Sequence, residues 1–193
     1  MQKDISLDVE IRKGQKFLIL EYKVYNMSKS AIYLMNHLFR LKKTGGWDIP
    51  DHNLTYVYPE EKGVIRLAKW APPIPKDLLT EEICPYVTVV PPGETFREEL
   101  NLEIPLKPFV AYRNRPYDVP DKKIIAYDHV YFTLGFYPHT EDIKIIHKNI
   151  GGVDTISIGG IPAYGESQQL LETEKIELPV EIIMPRKIPQ RWW

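Results

Sequence analysis

The stretch Tyr86–Pro105, YVTVVPPGETFREELNLEIP, constrains the fold more than any other part of the chain. Phe96, Leu100, Leu102 and Ile104 share one parity, while Arg97, Glu99, Asn101 and Glu103 share the other. Such alternation sends successive side chains to opposite faces of a strand, one face on a core and one in water. Glu98 alone breaks the apolar side. Upstream, Tyr86–Val90 is a β-branched run, and Pro91-Pro92-Gly93-Glu94 between the two is a strong turn signal. The stretch therefore predicts a hairpin: strand, Pro-Gly turn, long amphipathic strand, with further strands packed around the pair.

The same alternation recurs at Ile5–Ile11 and Ile176–Ile182, where Pro179 places the last strand at a sheet edge or a bulge. In Lys16–Asn26, Leu18, Leu20, Tyr22 and Val24 share a face, and Phe17 and Ile19 enrich the other, predicting that the start of this strand is covered on both sides. Ala31–Leu41 has apolar residues on both parities; its aromatic and β-branched content favours a strand over a helix. Leu54–Tyr58 and Val64–Trp70 read as short strands. In Ile124–Pro138, Val130, Phe132, Leu134 and Phe136 fall on one face. Ile143–Lys148 and Val153–Ile158 predict a hairpin across Asn149–Gly152. Lys76–Ile83 has room for about two helical turns, with Asp77 favourable near the N-terminus. Gln168–Glu174 is open between helical turn and strand.

Many short strands separated by turns are the signature of an antiparallel β-sandwich or barrel. The chain has 193 residues, enough for one large all-β domain or two small ones. One sandwich over residues 1–184 with a tail at 185–193 is expected, because both proline-rich stretches are short for free linkers.

Two segments carry a resemblance. LEYKVYNMSKSAIYL, Leu20–Leu34, resembles the second and third strands of immunoglobulin-like sandwiches, where a strand ends in Asn-x-Ser. VVPPGETFREELNL resembles the Pro-Gly-Glu turn and following strand found late in such domains. The resemblance implies an immunoglobulin-like β-sandwich and no particular function. The disulfide and core tryptophan of antibody-type domains are missing, so the fibronectin-like or bacterial immunoglobulin-like side is the better comparison. A single such domain runs to about 100 residues, so extra strands and long proline-rich loops must account for the surplus.

Twenty-five basic against 26 acidic residues leave a net charge of -1. That balance gives no general electrostatic reason to bind nucleic acid or an anionic membrane. Cys84 is the single cysteine, which rules out an internal disulfide. The N-terminus lacks the apolar run of a signal peptide, and no apolar run is long enough to span a bilayer. A cytoplasmic location is expected, with a periplasmic one open if a leader has been removed.

Chemistry-bearing patterns are weak. His37, His52, His129, His139 and His147 have no paired metal-ligand spacing. Asp128-His129 and Ser157 do not form a nucleophile elbow. Gly151-Gly152 and Gly159-Gly160 lack the helix start and lysine of a phosphate loop, and read as turn glycines with positive φ. The acidic pairs Glu60-Glu61, Glu81-Glu82, Glu98-Glu99 and Glu141-Asp142 lie mostly in turns. No cofactor or metal is expected, and no enzyme.

Aromatic and cationic loops are the more informative feature. Phe109, Tyr112, Arg113, Arg115 and Tyr117 fall in the irregular segment Leu106–Lys123. The tail PRKIPQRWW adds Arg186, Arg191, Trp192 and Trp193. Tyr, Trp and Arg dominate binding hot spots. These residues predict a non-enzymatic protein-binding module, a structural or adaptor subunit docking through loops, an edge strand and the tail, onto a protein partner or itself. The alternative is a carbohydrate- or small-ligand-binding sandwich using Trp47, Trp70 and Tyr112–Tyr117.

Overall fold

The computed structural model describes residues 4–40, 49–60, 63–76, 80–112, 121–161 and 163–185. The expectations placed on Trp47, Arg113, Arg115, Tyr117, Arg186, Arg191, Trp192 and Trp193 lie outside the described residues. The chain is all-β, with several sheets in a sandwich-like arrangement. β1 (Ile5–Lys13), β2 (Phe17–Asn26) and β7 (Thr95–Glu103) form an antiparallel three-stranded sheet in the order β1-β2-β7. β3 (Ile32–His37), β4 (Tyr56–Glu60), β5 (Val64–Lys69), β6 (Tyr86–Val90) and β8 (Lys122–Pro138) run in the order β4-β5-β8-β3-β6 within a seven-stranded sheet. Its remaining members, β11 (Gln169–Glu172) and β12 (Ile176–Pro185), both pair with β8. β9 (Lys144–Ile150) and β10 (Val153–Gly159) are a separate hairpin, followed by the single helical turn α1 (Tyr164–Ser167).

The alternations decide which faces meet. Leu18, Leu20, Tyr22 and Val24 of β2 and Leu100 and Leu102 of β7 are buried against Ile32, Leu34, Ile65, Leu67, Val130, Phe132, Leu134, Phe136, Val180 and Ile182 of the larger sheet. The strand parities read from the sequence therefore hold at β1, β2, β7, β8 and β12. β8 is the spine: β12 pairs along Lys122–Val130, β11 along Thr133–Phe136, β5 along His129–Leu134 and β3 along Phe136–Pro138. The β5–β8 pairing is parallel, within a fold expected to be mostly antiparallel. Two residues of β12 beyond Glu177, Leu178 and Pro179, interrupt its ladder, which resumes at Val180; the proline sits in this bulge, where its missing donor costs no ladder bond.

The larger sheet is covered on its second face as well. Tyr33, Met35, Val87 and Tyr137 pack beneath Ile143 and Ile158 of the β9–β10 region. Tyr56, Ala68, Trp70 and Tyr86 form another cluster with Leu38, Phe39, Ile83 and Ala111. This double burial accounts for the apolar residues on both parities of β3.

Three expectations are corrected. The start of β2 is not covered on both faces: on the outer side of the small sheet Phe17 is 45% exposed and Ile19 only partly buried. β6 and β7 do not form a hairpin: β6 pairs with β3 in the large sheet and β7 with β2 in the small one. Of Lys76–Ile83, residues 77–79, with Asp77, lie outside the described residues, and the described residues 80–83 are not helical.

The turn between β6 and β7 is thus a crossing between sheets, and Asn26 fixes it. The Asn26 side chain is fully buried; Nδ2 donates to the carbonyls of Ser30 (2.9 Å), Val90 (2.9 Å) and Pro91 (3.0 Å). Its Oδ1 accepts from the Ser28 N–H (3.2 Å) and hydroxyl (2.6 Å). Its main chain bonds the same turn, donating to the Glu94 carbonyl (3.0 Å) and accepting from the Gly93 N–H (2.7 Å). One residue therefore ties the β2–β3 crossing to the β6–β7 crossing, which gives the Asn-x-Ser and Pro-Gly-Glu segments a common physical purpose. Gly93 turns there with φ 76°, a conformation that disfavours side chains.

Removing a buried amide that serves several backbone groups leaves them unpaired. Asn26→Ala should lower stability by at least about 2 kcal/mol, and Ser28→Ala by less than about 1.5 kcal/mol, the worth of an ordinary hydrogen bond. Urea denaturation of the two variants checks the ranking.

Candidate functional site

Two charges that break the apolar faces meet between the sheets. Glu98 shares parity with Leu100 and Leu102 on β7, and Lys69 shares parity with Ile65 and Leu67 on β5. Lys69 Nζ lies 2.7 Å from Glu98 Oε2, and the lysine side chain is 0% exposed. The Tyr22 hydroxyl donates to the same carboxylate oxygen at 2.5 Å. Lys69 Nζ also donates to the His52 carbonyl at 2.6 Å. Burial pulls the Lys69 ammonium below its ordinary pKa, while the Glu98 charge opposes that fall. Burial, with Glu98 adding to it, pushes the Tyr22 phenol well above its usual range. Sequence reading singled out one end of this pair, Glu98. Lys69 carried the matching signal, a lone cation on an apolar parity.

Polar neighbours extend the cluster. Asn36 is fully buried, and its Oδ1 accepts the Thr88 N–H at 3.2 Å. His37 Nε2 lies 3.2 Å from the Thr88 hydroxyl, and burial holds its pKa below the ordinary value. A carboxylate, an ammonium and a phenol in sequence are able to relay a proton. Here Lys69 and Tyr22 are sealed from solvent, and the group joins β2, β5 and β7 at one point between the sheets.

Two predictions follow from that sealing. Breaking one partner strands the other charge, so Lys69→Met or Glu98→Gln should each cost about 3–5 kcal/mol. The combined Lys69→Met, Glu98→Leu, Tyr22→Phe variant should recover most of that loss, since an apolar replacement of a buried pair is often neutral; denaturant titration of the set measures it. His37 supplies a pH effect. Its folded pKa is depressed, so between that value and the unfolded value of about 6.5 the unfolded chain binds more protons. Stability is full above about pH 6.5 and falls on acidification through this window. His37→Gln should flatten the thermal midpoint between pH 7.5 and 5.5 relative to wild type.

The aromatic residues are mostly committed to the protein itself. Trp70 is 8% exposed; its indole N–H donates to the Tyr58 hydroxyl at 3.2 Å. The Arg66 guanidinium lies over both rings, 4.9 Å from Tyr58 and 4.8 Å from Trp70, and its Nε lies 3.1 Å from Glu60. Phe109 stacks on Tyr56 at 5.2 Å with Arg40 above it at 4.9 Å, and its main chain pairs with Val57. Tyr112 has φ 61°; its hydroxyl accepts the Ile83 N–H at 2.6 Å and donates to the Pro72 carbonyl at 3.3 Å. Phe109 and Tyr112 are half-buried against the second cluster. Burial pushes the Cys84 thiol up to about 12. Among the described residues, no group of three His, Cys, Asp or Glu side chains is placed to hold a metal ion, and no helix is long and apolar enough to cross a membrane.

The β9–β10 hairpin is different in kind. An isolated two-stranded ribbon is marginal in water, and this one is held by Ile158 and Ile143 in the third cluster. Gly151 and Gly152 turn it with φ 61° and 88°. Every residue from Lys144 to Asn149 is exposed, including Ile145 (44%) and Ile146 (43%). The Ser157 hydroxyl donates to the Ile146 carbonyl (3.4 Å) and the Thr155 hydroxyl to the Lys148 carbonyl (3.0 Å), so both carbonyls face β10. Backbone groups alternate sides along a strand. Ile145, His147 and Asn149 therefore aim their N–H and C=O groups outward, where no described strand pairs with β9. Sequence reading placed the hairpin but did not single out these residues; the adjacent Ile145-Ile146 between lysines was the available signal.

No family model, curated protein or solved structure matches the chain.

Proposed function

We propose that the chain is a non-enzymatic protein-binding module, a structural or adaptor subunit, that docks by adding a partner's strand to the free edge of β9. The observation that carries this reading is the exposed β9 edge, with outward main-chain groups beside two exposed isoleucines. Strand addition takes its affinity from main-chain bonds and its specificity from alternate side chains. The buried polar groups Lys69, Glu98 and Tyr22, by contrast, are engaged with one another inside the protein. The scaffold reading is an immunoglobulin-like sandwich on the fibronectin side. It is supported by three strands, β1, β2 and β7, opposed to β6-β3-β8-β12, with β4–β5 and β9–β10 as insertions that account for the extra length. On sequence grounds, Arg113, Arg115, Tyr117 and the tail from Arg186 to Trp193 are further contacts. The carbohydrate alternative is less well supported, because Arg66 already covers a face of Trp70.

His147→Pro provides the test. It removes an outward N–H and blocks strand approach while leaving the inward ladder to β10 intact. The variant should keep the wild-type thermal midpoint and recover at least about tenfold less partner protein from host extract, a loss of about 1.4 kcal/mol. Equal recovery of the same partners by both proteins contradicts the reading.

A further inference from the structure

The side chains that flank the free edge say what kind of strand fits it. Lys144, Ile146 and Lys148 lie on one face of β9, and Ile145 and His147 on the other, by strand alternation. Both lysines are exposed, and neither meets a carboxylate among the ion pairs of the described residues. The hairpin's own carboxylates are elsewhere. Glu141 and Asp142 lie in the turn before β9, and Asp154 on β10 accepts from Asn149 Nδ2 at 2.7 Å. The edge itself presents cation, isoleucine, cation at alternate positions.

We infer that β9 receives an extended, acidic segment of a partner protein, with carboxylates four residues apart and β-branched residues between them. This deepens the docking reading above and rests on it. In an antiparallel register, the first acid sits opposite Lys148 and the second opposite Lys144. The residue midway between them packs on Ile146. The residues on either side of it face Ile145 and His147. Opposite charges directly across a ladder stabilise it, and like charges destabilise it.

A second copy of this chain fits poorly. Antiparallel β9 against β9 centred on Ile146 sets Lys144 against Lys148 twice. Moving the register by two, the smallest shift that keeps the outward main-chain groups opposite one another, sets each Lys148 against an Ile146 and leaves four cations along a single edge. Lysine on an exposed edge is a common guard against such self-pairing. Here the same residues select an acidic strand.

The probe is a dye-labelled peptide, Thr-Glu-Thr-Val-Val-Glu-Thr, titrated into the full chain by fluorescence anisotropy, beside the same peptide with lysine for both glutamates. The glutamate peptide should bind and the lysine peptide should bind about tenfold more weakly or not at all. High salt should shrink the difference. Lys144→Glu, Lys148→Glu should reverse the preference, and its unchanged thermal midpoint establishes that it folds. His147→Pro should abolish binding of both peptides. Equal binding of the two peptides by wild type, or glutamate-peptide binding that survives His147→Pro, overturns the inference. So does a concentration-dependent dimer in sedimentation that His147→Pro dissolves, since the edge would then belong to a second copy. If the glutamate peptide fails to bind while His147→Pro still loses its host partners, the acidic-strand inference falls and the docking reading stands.

Discussion

The contact on which the sandwich depends is the one between Lys69 and Glu98. Every other inward position of β5 and β7 in the shared core is apolar or close to it, and these two side chains each face the opposite sheet. A charge taken out of water is costly unless its partner stands in the right place. The pair therefore penalises any slip of one sheet over the other more steeply than isoleucine and leucine do. Tyr22 and the His52 carbonyl take up further bonding capacity of the pair, joining β2 and the loop before β4 to the same point. Asn26 does the equivalent for the chain crossings, with neutral hydrogen bonds in place of charge.

With the sheets fixed in this way, the larger one has two apolar faces to cover, and the small sheet covers only one. The loops around Trp70 and the β9–β10 hairpin cover the other. The hairpin meets that need with β10 and with Ile143. β9, one strand further out, is left with exposed side chains on both faces and an unpaired edge among the described residues. The candidate docking edge is thus a by-product of the hairpin that covers the second face of the larger sheet.

What was legible in the sequence followed strand periodicity. Phe96–Ile104, Leu18–Val24 and Val130–Phe136 each revealed their buried face, because alternation is a local property. Ala31–Leu41 read as a strand from its aromatic and β-branched content, although its double burial was not read from the apolar residues on both parities. Pro179 announced a sheet edge or a bulge through its missing donor, and it sits at a bulge. The sheet to which a strand belongs is not local. A Pro-Gly turn looks the same whether it joins paired strands or crosses a sandwich, and so β6 and β7 read as a hairpin. The parallel β5–β8 pairing and the Lys69–Glu98 contact join residues far apart in sequence and leave only half-signals. Phe17 misled because a large apolar side chain can remain exposed on an uncovered sheet face. At the candidate site, the aromatic residues drew attention through composition, whereas the β9 edge is defined by which backbone groups lack partners, and composition does not encode that.

Native-state hydrogen exchange of the full chain, resolved residue by residue, tests the central claim that a locked core carries a free edge. The account predicts slow exchange at Ile146 and Lys148, whose amides face β10, and fast exchange at Ile145 and His147 immediately beside them. The slowest amides should lie in β2 and β8. Exchange at Ile145 and His147 as slow as at Ile146 and Lys148, in dilute monomeric protein, would mean that the chain already occupies its own edge, and the docking account would be wrong.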